Sequence, residues 1–191
     1  MEEINLITQI IRNRRSVFPK SYNGKEIPRE LLQEILDNAN YAPSHKLTQP
    51  WYFKVFRKQG LNTLAEFVAE HYKLDTPTEN FLQSKYDAMH HKIVSSSCVI
   101  AIVAKFHADK VPEWEEIASV ACAVQNMWLT ASAMKIGSYW STPGAIKSMH
   151  DLLTLGENER CIGLFYMGYY DELPAPVNRM NASEKITWFE N

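Results

Sequence analysis

Apolar residues recur at helical spacing over residues 4–13 (Ile4, Leu6, Ile7, Ile10, Ile11), and the pattern stops at Asn13-Arg14-Arg15-Ser16. Pro28 followed by Leu31, Leu32, Ile35 and Leu36 predicts a second helix with Pro at or near its first position, where a missing N–H is tolerated. Trp51 to Arg57 is aromatic and β-prone, and predicts the first strand. Residues 61–72 return to helical spacing through Leu61, Leu64, Ala65, Phe67 and Val68, and 74–92 read as loop plus helix. Ser97 to Phe106 holds the unbroken run Val99-Ile100-Ala101-Ile102-Val103-Ala104, the pattern of a strand buried on both faces. Glu113 to Lys135 predicts a helix that is apolar on most of its circumference (Ile117, Val120, Val124, Met127, Trp128, Ala131, Met134). Such a helix must be covered nearly all round, and a partner subunit is one source of cover. A short strand at Gly137–Trp140, a helix at Ile146–Leu155 ended by Gly156, a last strand at Cys161–Tyr170 and a tail from Glu172 to Asn191 complete the chain. Helices and strands alternate without forming repeated strand–helix–strand units, so the expected class is α+β rather than a doubly wound sheet.

The connector Tyr41-Ala42-Pro43-Ser44-His45-Lys46-Leu47-Thr48-Gln49-Pro50-Trp51 interrupts this pattern with polar and basic side chains. Each Pro biases the residue before it away from helix. A helix should therefore end near Tyr41, and a strand should start at Pro50-Trp51. Exposed loops held by a rigid scaffold are frequent carriers of binding groups. Two more polar clusters join it. Arg14-Arg15-Ser16 follows a helix and offers two planar guanidinium forks and a hydroxyl, a donor set suited to phosphate. The same basic pair also suits a solvated helix C-terminus. Trp140-Ser141-Thr142-Pro143-Gly144 closes a strand, where a backbone N–H beside Gly144 could meet a ligand, or where Ser141 or Thr142 could cap the next helix.

Composition narrows the classes. At 191 residues the chain is the size of one domain, expected to span 1–191, and 46% hydrophobic against 22% charged residues marks it as soluble and globular. A net charge of −2 argues against nucleic acid or an anionic membrane as a bulk partner. Cys98, Cys122 and Cys161 are odd in number and sit in apolar runs, so buried free thiols in a reducing, cytoplasmic compartment are expected. No Cys-x-x-Cys and no metal-ligand spacing occur, and His71, His90 and His91 read as surface residues. The acidic start (Glu2, Glu3) does not resemble a signal peptide.

Phosphate donors, a polar loop and a glycine-containing turn in an aromatic-rich chain match the parts of a flavin mononucleotide, while the lack of G-x-G-x-x-G disfavours a Rossmann site. Asn13-Arg14-Arg15-Ser16, then Ala42-Pro43-Ser44-His45-Lys46 with Gln49-Pro50-Trp51, resembles the nitroreductase family of FMN enzymes. So do the Trp128 helix, Gly137 with Trp140, and the strand Ile162-Gly163-Leu164-Phe165-Tyr166-Met167-Gly168. The order holds from about residue 5 to residue 190, and the run Lys110-Val111-Pro112-Glu113-Trp114-Glu115 resembles the compact NAD(P)H nitroreductase branch.

The resemblance implies an intertwined homodimer with a central mixed or antiparallel sheet flanked by helices, and FMN at the subunit interface. It implies that Arg14, Arg15 and Ser16 hold the ribityl-phosphate end with support from Arg179. His45 would lie on the same subunit's side of the flavin, Tyr41 would reach the flavin across the interface, and Trp140, Ser141 and Thr142 would line it. Thr130 to Lys135 matches a segment assigned to the nicotinamide cofactor. The implied function is FMN-dependent NAD(P)H oxidation with nitroaromatic, quinone or similar acceptors by ping-pong hydride transfer. The alternatives are a flavin store or redox partner, or related FMN chemistry such as reductive dehalogenation or enone reduction. No catalytic side chain is required, because the flavin carries the chemistry. Two positions depart from the family pattern: Phe18 stands where many members have a basic residue, and Leu47 where many have Asn. Lys20, Lys46 or His45 are candidates to replace the missing cation.

Overall fold

In the computed structural model, which describes residues 2–190, the unbroken apolar run becomes the inner strand of a four-stranded sheet. Strand β2 (Cys98–Lys105) pairs with β1 (Trp51–Phe56) on one side and β4 (Glu159–Tyr169) on the other, and β3 (Ile136–Ser141) closes the far edge of β4. Every pairing among the four strands is antiparallel, so the expected mixed or antiparallel sheet resolves to antiparallel. From Cys98 to Ala104 no side chain of β2 reaches solvent. Burying one aliphatic side chain of this size contributes about 1.5–3 kcal/mol, which makes β2 the strand that anchors both faces.

The period of two then sorts the core into two layers. Cys98, Ile100, Ile102 and Ala104 meet α2 (Arg29–Ala39) and α5 (Glu113–Ala133). Val99, Ala101 and Val103 meet α3 (Gln59–Asp75), α4 (Gln83–Val94) and α6 (His150–Leu153) on the opposite face. Gly163 of β4 leaves room for a side chain of the neighbouring strand β3: a Cβ there would collide with the indole nitrogen of Trp140. By contrast, Gly144 has open space where its Cβ would lie.

Three expectations need correction. The predicted helix at 146–155 divides into a 3-10 turn at Gly144–Ser148 and the four-residue α6, and Thr154 in the left-handed region, rather than Gly156, ends it. Pro143 occupies the position before that turn and no side chain caps it, so Ser141 and Thr142 are free of capping duty. Cys98 and Cys161 are buried thiols, with burial pushing Cys98 up to about 12, but Cys122 lies exposed on α5.

The first helix, α1 (Glu2–Asn13), covers little: Ile4, Leu6, Ile7 and Ile11 are each half or more exposed. The tail after Tyr170 behaves alike, with Val177, Trp188 and Phe189 exposed, and the last residue of that predicted tail, Asn191, lies outside the described residues. No helix among the described residues is long and apolar enough to cross a membrane.

Candidate functional site

Helix α1 ends at Asn13, and the chain turns to run beside β3. Val17 N–H donates to Ser138 O at 3.1 Å, and Ser16 and Ser138 form a single parallel bridge. A strand residue turns its N–H and C=O to the same edge, and residues two apart share that edge. Since Ser138 faces the outer edge, Trp140 does too. Beyond Ser16, that edge of β3 has no strand beside it among the described residues. Of the predicted trio Trp140, Ser141 and Thr142, the backbone of Trp140 therefore faces outward, whereas Ser141 pairs inward with Leu164.

The two arginines divide the roles considered for them. Arg15 Nη1 donates to Arg12 O at 2.7 Å and Arg14 O at 3.0 Å, closing the carbonyl end of α1 as a helix-terminal cation should. Arg14 stacks instead on the Trp128 ring, its guanidinium carbon 4.3 Å from the centroid. Its Nη1 is buried and has no partner, as has Arg15 Nε. Arg179, far away in sequence, joins them: a cleft of about 830 Å³ is lined by Arg14, Arg15, Ser16, Phe18, Gln125 and Arg179. Burial, then repulsion from Arg179 and Arg15, pulls the Arg14 pKa down. None of these three guanidiniums is paired with a carboxylate among the described residues. Converging cations with orphaned buried donors fit a phosphate-bearing group.

The connector loop is placed elsewhere. His45 Nδ1 lies 2.6 Å from Glu115 Oε2, Lys46 Nζ donates to Lys110 O at 2.8 Å, and Gln49 N–H donates to Ser44 Oγ at 3.2 Å. Neither His45 nor Lys46 lines the arginine cleft. Lys46, Leu47 and Gln49 all adopt positive φ (50°, 53° and 44°), a conformation that costs a non-glycine residue about 1 kcal/mol or more and concentrates at functional sites. Tyr41 is 85% exposed and touches no part of the cleft. Within Thr130–Lys135, Ala131 is fully buried and the Thr130 hydroxyl accepts from the Asn38 amide, while Ala133 and Lys135 are exposed.

Three features escaped the sequence. Lys92 of α4 sits over the rings of Tyr139 and Tyr166, at 5.0 and 4.8 Å from their centroids. Tyr139 carries a buried hydroxyl with no partner. Glu116, only 1% exposed, takes both the backbone N–H and the Nδ1 of His107 at 2.8 Å. Only Glu116, an acidic residue on the apolar helix, left a trace in the pattern. Among the described residues no cluster of metal-ligating side chains occurs.

Comparison with known proteins places the chain in a family. A family model described as Nitroreductase family matches residues 11–169. The Bacillus subtilis protein named "Putative NAD(P)H nitroreductase YfhC" is 25% identical over 96% of this chain and 94% of its own length. The crystal structure of a nitroreductase-like family protein from Bacillus cereus superposes with a TM-score of 0.83 at 24% identity, covering 97% of this chain and 96% of that one. The FMN-dependent nitroreductase NfnB from Mycobacterium smegmatis, solved in complex with NADPH, gives a TM-score of 0.77 at 17% identity over 98% and 100% of the two chains.

Proposed function

The chain belongs to the nitroreductase family, and on that premise we propose that it is an FMN-dependent NAD(P)H oxidoreductase, working as a homodimer on nitroaromatic, quinone or similar acceptors. The observation that carries this reading is the arginine cleft, where Arg14, Arg15, Ser16 and Arg179 converge and buried guanidinium nitrogens of Arg14 and Arg15 have no partner among the described residues. Bound FMN would supply hydride chemistry, accepting from a nicotinamide and giving to the acceptor in a second half-reaction.

The protein's part is binding and orientation. Arg14, Ser16 and Arg179 hold the phosphate, and Arg15 assists while closing α1. Trp140 offers its backbone to a ring edge, with Ser141 and Thr142 beside it. Trp128 keeps the Arg14 fork flat and partly out of water, which strengthens its bonds to an anion. His45 lies on the loop that follows Tyr41, and the exposed Tyr41 serves a flavin held by the partner subunit. The uncovered apolar stripe of α1 and the exposed aromatic tail supply the surface for that dimer. Buried free Cys98 and Cys161 suit a reducing compartment, consistent with a cytoplasmic location.

Anaerobic mixing of the flavin-loaded protein with NADH or NADPH tests the activity. Bleaching of the flavin band, followed by recovery on adding a nitroaromatic or quinone, is expected, with ping-pong kinetics at steady state. A flavin that neither nicotinamide reduces would leave a storage role instead. Light scattering should give a dimer.

A further inference from the structure

Lys46, Leu47 and Gln49 stand in the left-handed region within four residues, and none is a glycine. Each such residue carries roughly a tenfold preference for other backbone conformations. Three in one short segment need compensation from outside it. Burial does not supply it, since Lys46, Leu47 and Gln49 are all exposed. Within the segment, the Thr48 N–H donates to His45 O at 3.3 Å and the Gln49 N–H to Ser44 Oγ at 3.2 Å, both at the long end for such bonds. The compensation comes from the first turn of α5 and the loop before it. Lys46 Nζ donates to Lys110 O at 2.8 Å, and Glu115 Oε2 lies 2.6 Å from His45 Nδ1. Those partners are themselves fixed. The buried Glu116 carboxylate holds the His107 N–H and Nδ1, each at 2.8 Å, and the Lys110 N–H donates to His107 O at 2.8 Å. Two side-chain clasps thus join a strained segment to a rigid one.

We propose that residues 44–49 form a strained strap, held shut on the start of α5 by the clasps His45–Glu115 and Lys46–Lys110 O. Cutting the clasps opens the strap while the rest of the fold stays closed, as local opening units do. Both clasps are exposed, so each holds the strap by a small margin, and the stored backbone strain favours release. Leu47 is the residue that shows the strain most plainly. At 81% exposure its side chain gains nothing from burial, whereas Asn in its place accepts the left-handed region through local hydrogen bonds. Opening frees His45 from Glu115 and loosens the exposed Tyr41 that precedes the strap. The consequence of that motion for a bound flavin rests on the oxidoreductase reading, but the strap itself does not.

The test is amide hydrogen exchange on the purified full-length protein, with the Thr48 and Gln49 amides as reporters and the amides of β2 as the control. The double variant Lys46→Met with Glu115→Ala should speed the two reporters by at least about tenfold, the combined value of two exposed contacts, and leave β2 unchanged. Adding Leu47→Asn to that variant should return most of the lost protection, because a strap without strain needs no clasp. Leu47→Asn alone, with both clasps intact, should slow the reporters below their natural rate. Reporters that keep their rate when both clasps are cut overturn the proposal. So does a Leu47→Asn change that neither restores protection nor slows exchange. Were the double variant to unfold as a whole, Leu47→Asn alone would still decide, since absence of slowing defeats the strain. Release of FMN from the loaded protein, followed by fluorescence, should also quicken in the double variant. Faster exchange with unchanged release upholds the strap and counts against the placement of Tyr41 in the proposed function.

Discussion

At the start of α5, Glu113 pairs with Arg160, Glu115 with His45 and Glu116 with His107. At the end of α1, Arg14, Arg15 and Arg179 converge with no carboxylate among the described residues, and two of their nitrogens are buried without partners. Both places are helix termini with charges of the sign a helix dipole favours. The difference is whether the charges are answered from within the chain. Glu116 receives two donors and fixes the turn at His107, which is architecture. Arg14 is held flat against Trp128 with a buried donor unmatched among the described residues, as the proposed phosphate site requires. Satisfied burial marks structure, and unsatisfied burial marks ligand.

The contrast can be broken by four experiments. Arg14→Ala should weaken FMN binding about a hundredfold, the loss of one or two charge-assisted hydrogen bonds. The same change should move the unfolding free energy of the flavin-free chain by less than about 1 kcal/mol, because the guanidinium is repelled by its neighbours there. Glu116→Ala should do the reverse: urea unfolding should show a loss of about 2 kcal/mol, since two donors of His107 are left unmet, with flavin affinity retained. If the two variants exchanged these behaviours, the division between structural and ligand-binding charges would fail.

A smaller effect concerns pH. Burial raises the Cys98 thiol from 9.0 to about 12. The unfolded chain therefore releases this proton first, and the contribution of Cys98 to stability, full below about pH 9, should decline between about pH 9 and about 12. Unfolding followed across that window should slope less steeply in Cys98→Ala. His45→Ala should have the least effect on folding, within about 1 kcal/mol, since its pair with Glu115 is exposed.

What the sequence revealed follows the range of the interactions concerned. The unbroken run at 99–104 could only be an inner strand, and β2 is one. Arg14 to Ser16 were legible as a candidate donor set because three neighbours in sequence share one helix end, and all three line one cleft. Arg179 came only through resemblance, yet it lines the same cleft. The split of roles between Arg14 and Arg15 was not legible, because it depends on Trp128 packing from another helix. Nor was the cleft at Lys92 and Tyr139, where α4 meets β3 on one face of the sheet. The helix at 146–155 was overextended because its apolar spacing reflects burial against β4 and α3, not an uninterrupted helix.

The most direct measurement compares FMN with riboflavin, which lacks the phosphate, by titrating each into the flavin-free protein. One FMN per chain, bound at least about a hundredfold more tightly than riboflavin, is expected if the guanidiniums hold the phosphate. Equal affinity for the two would contradict the assignment of the arginine cleft.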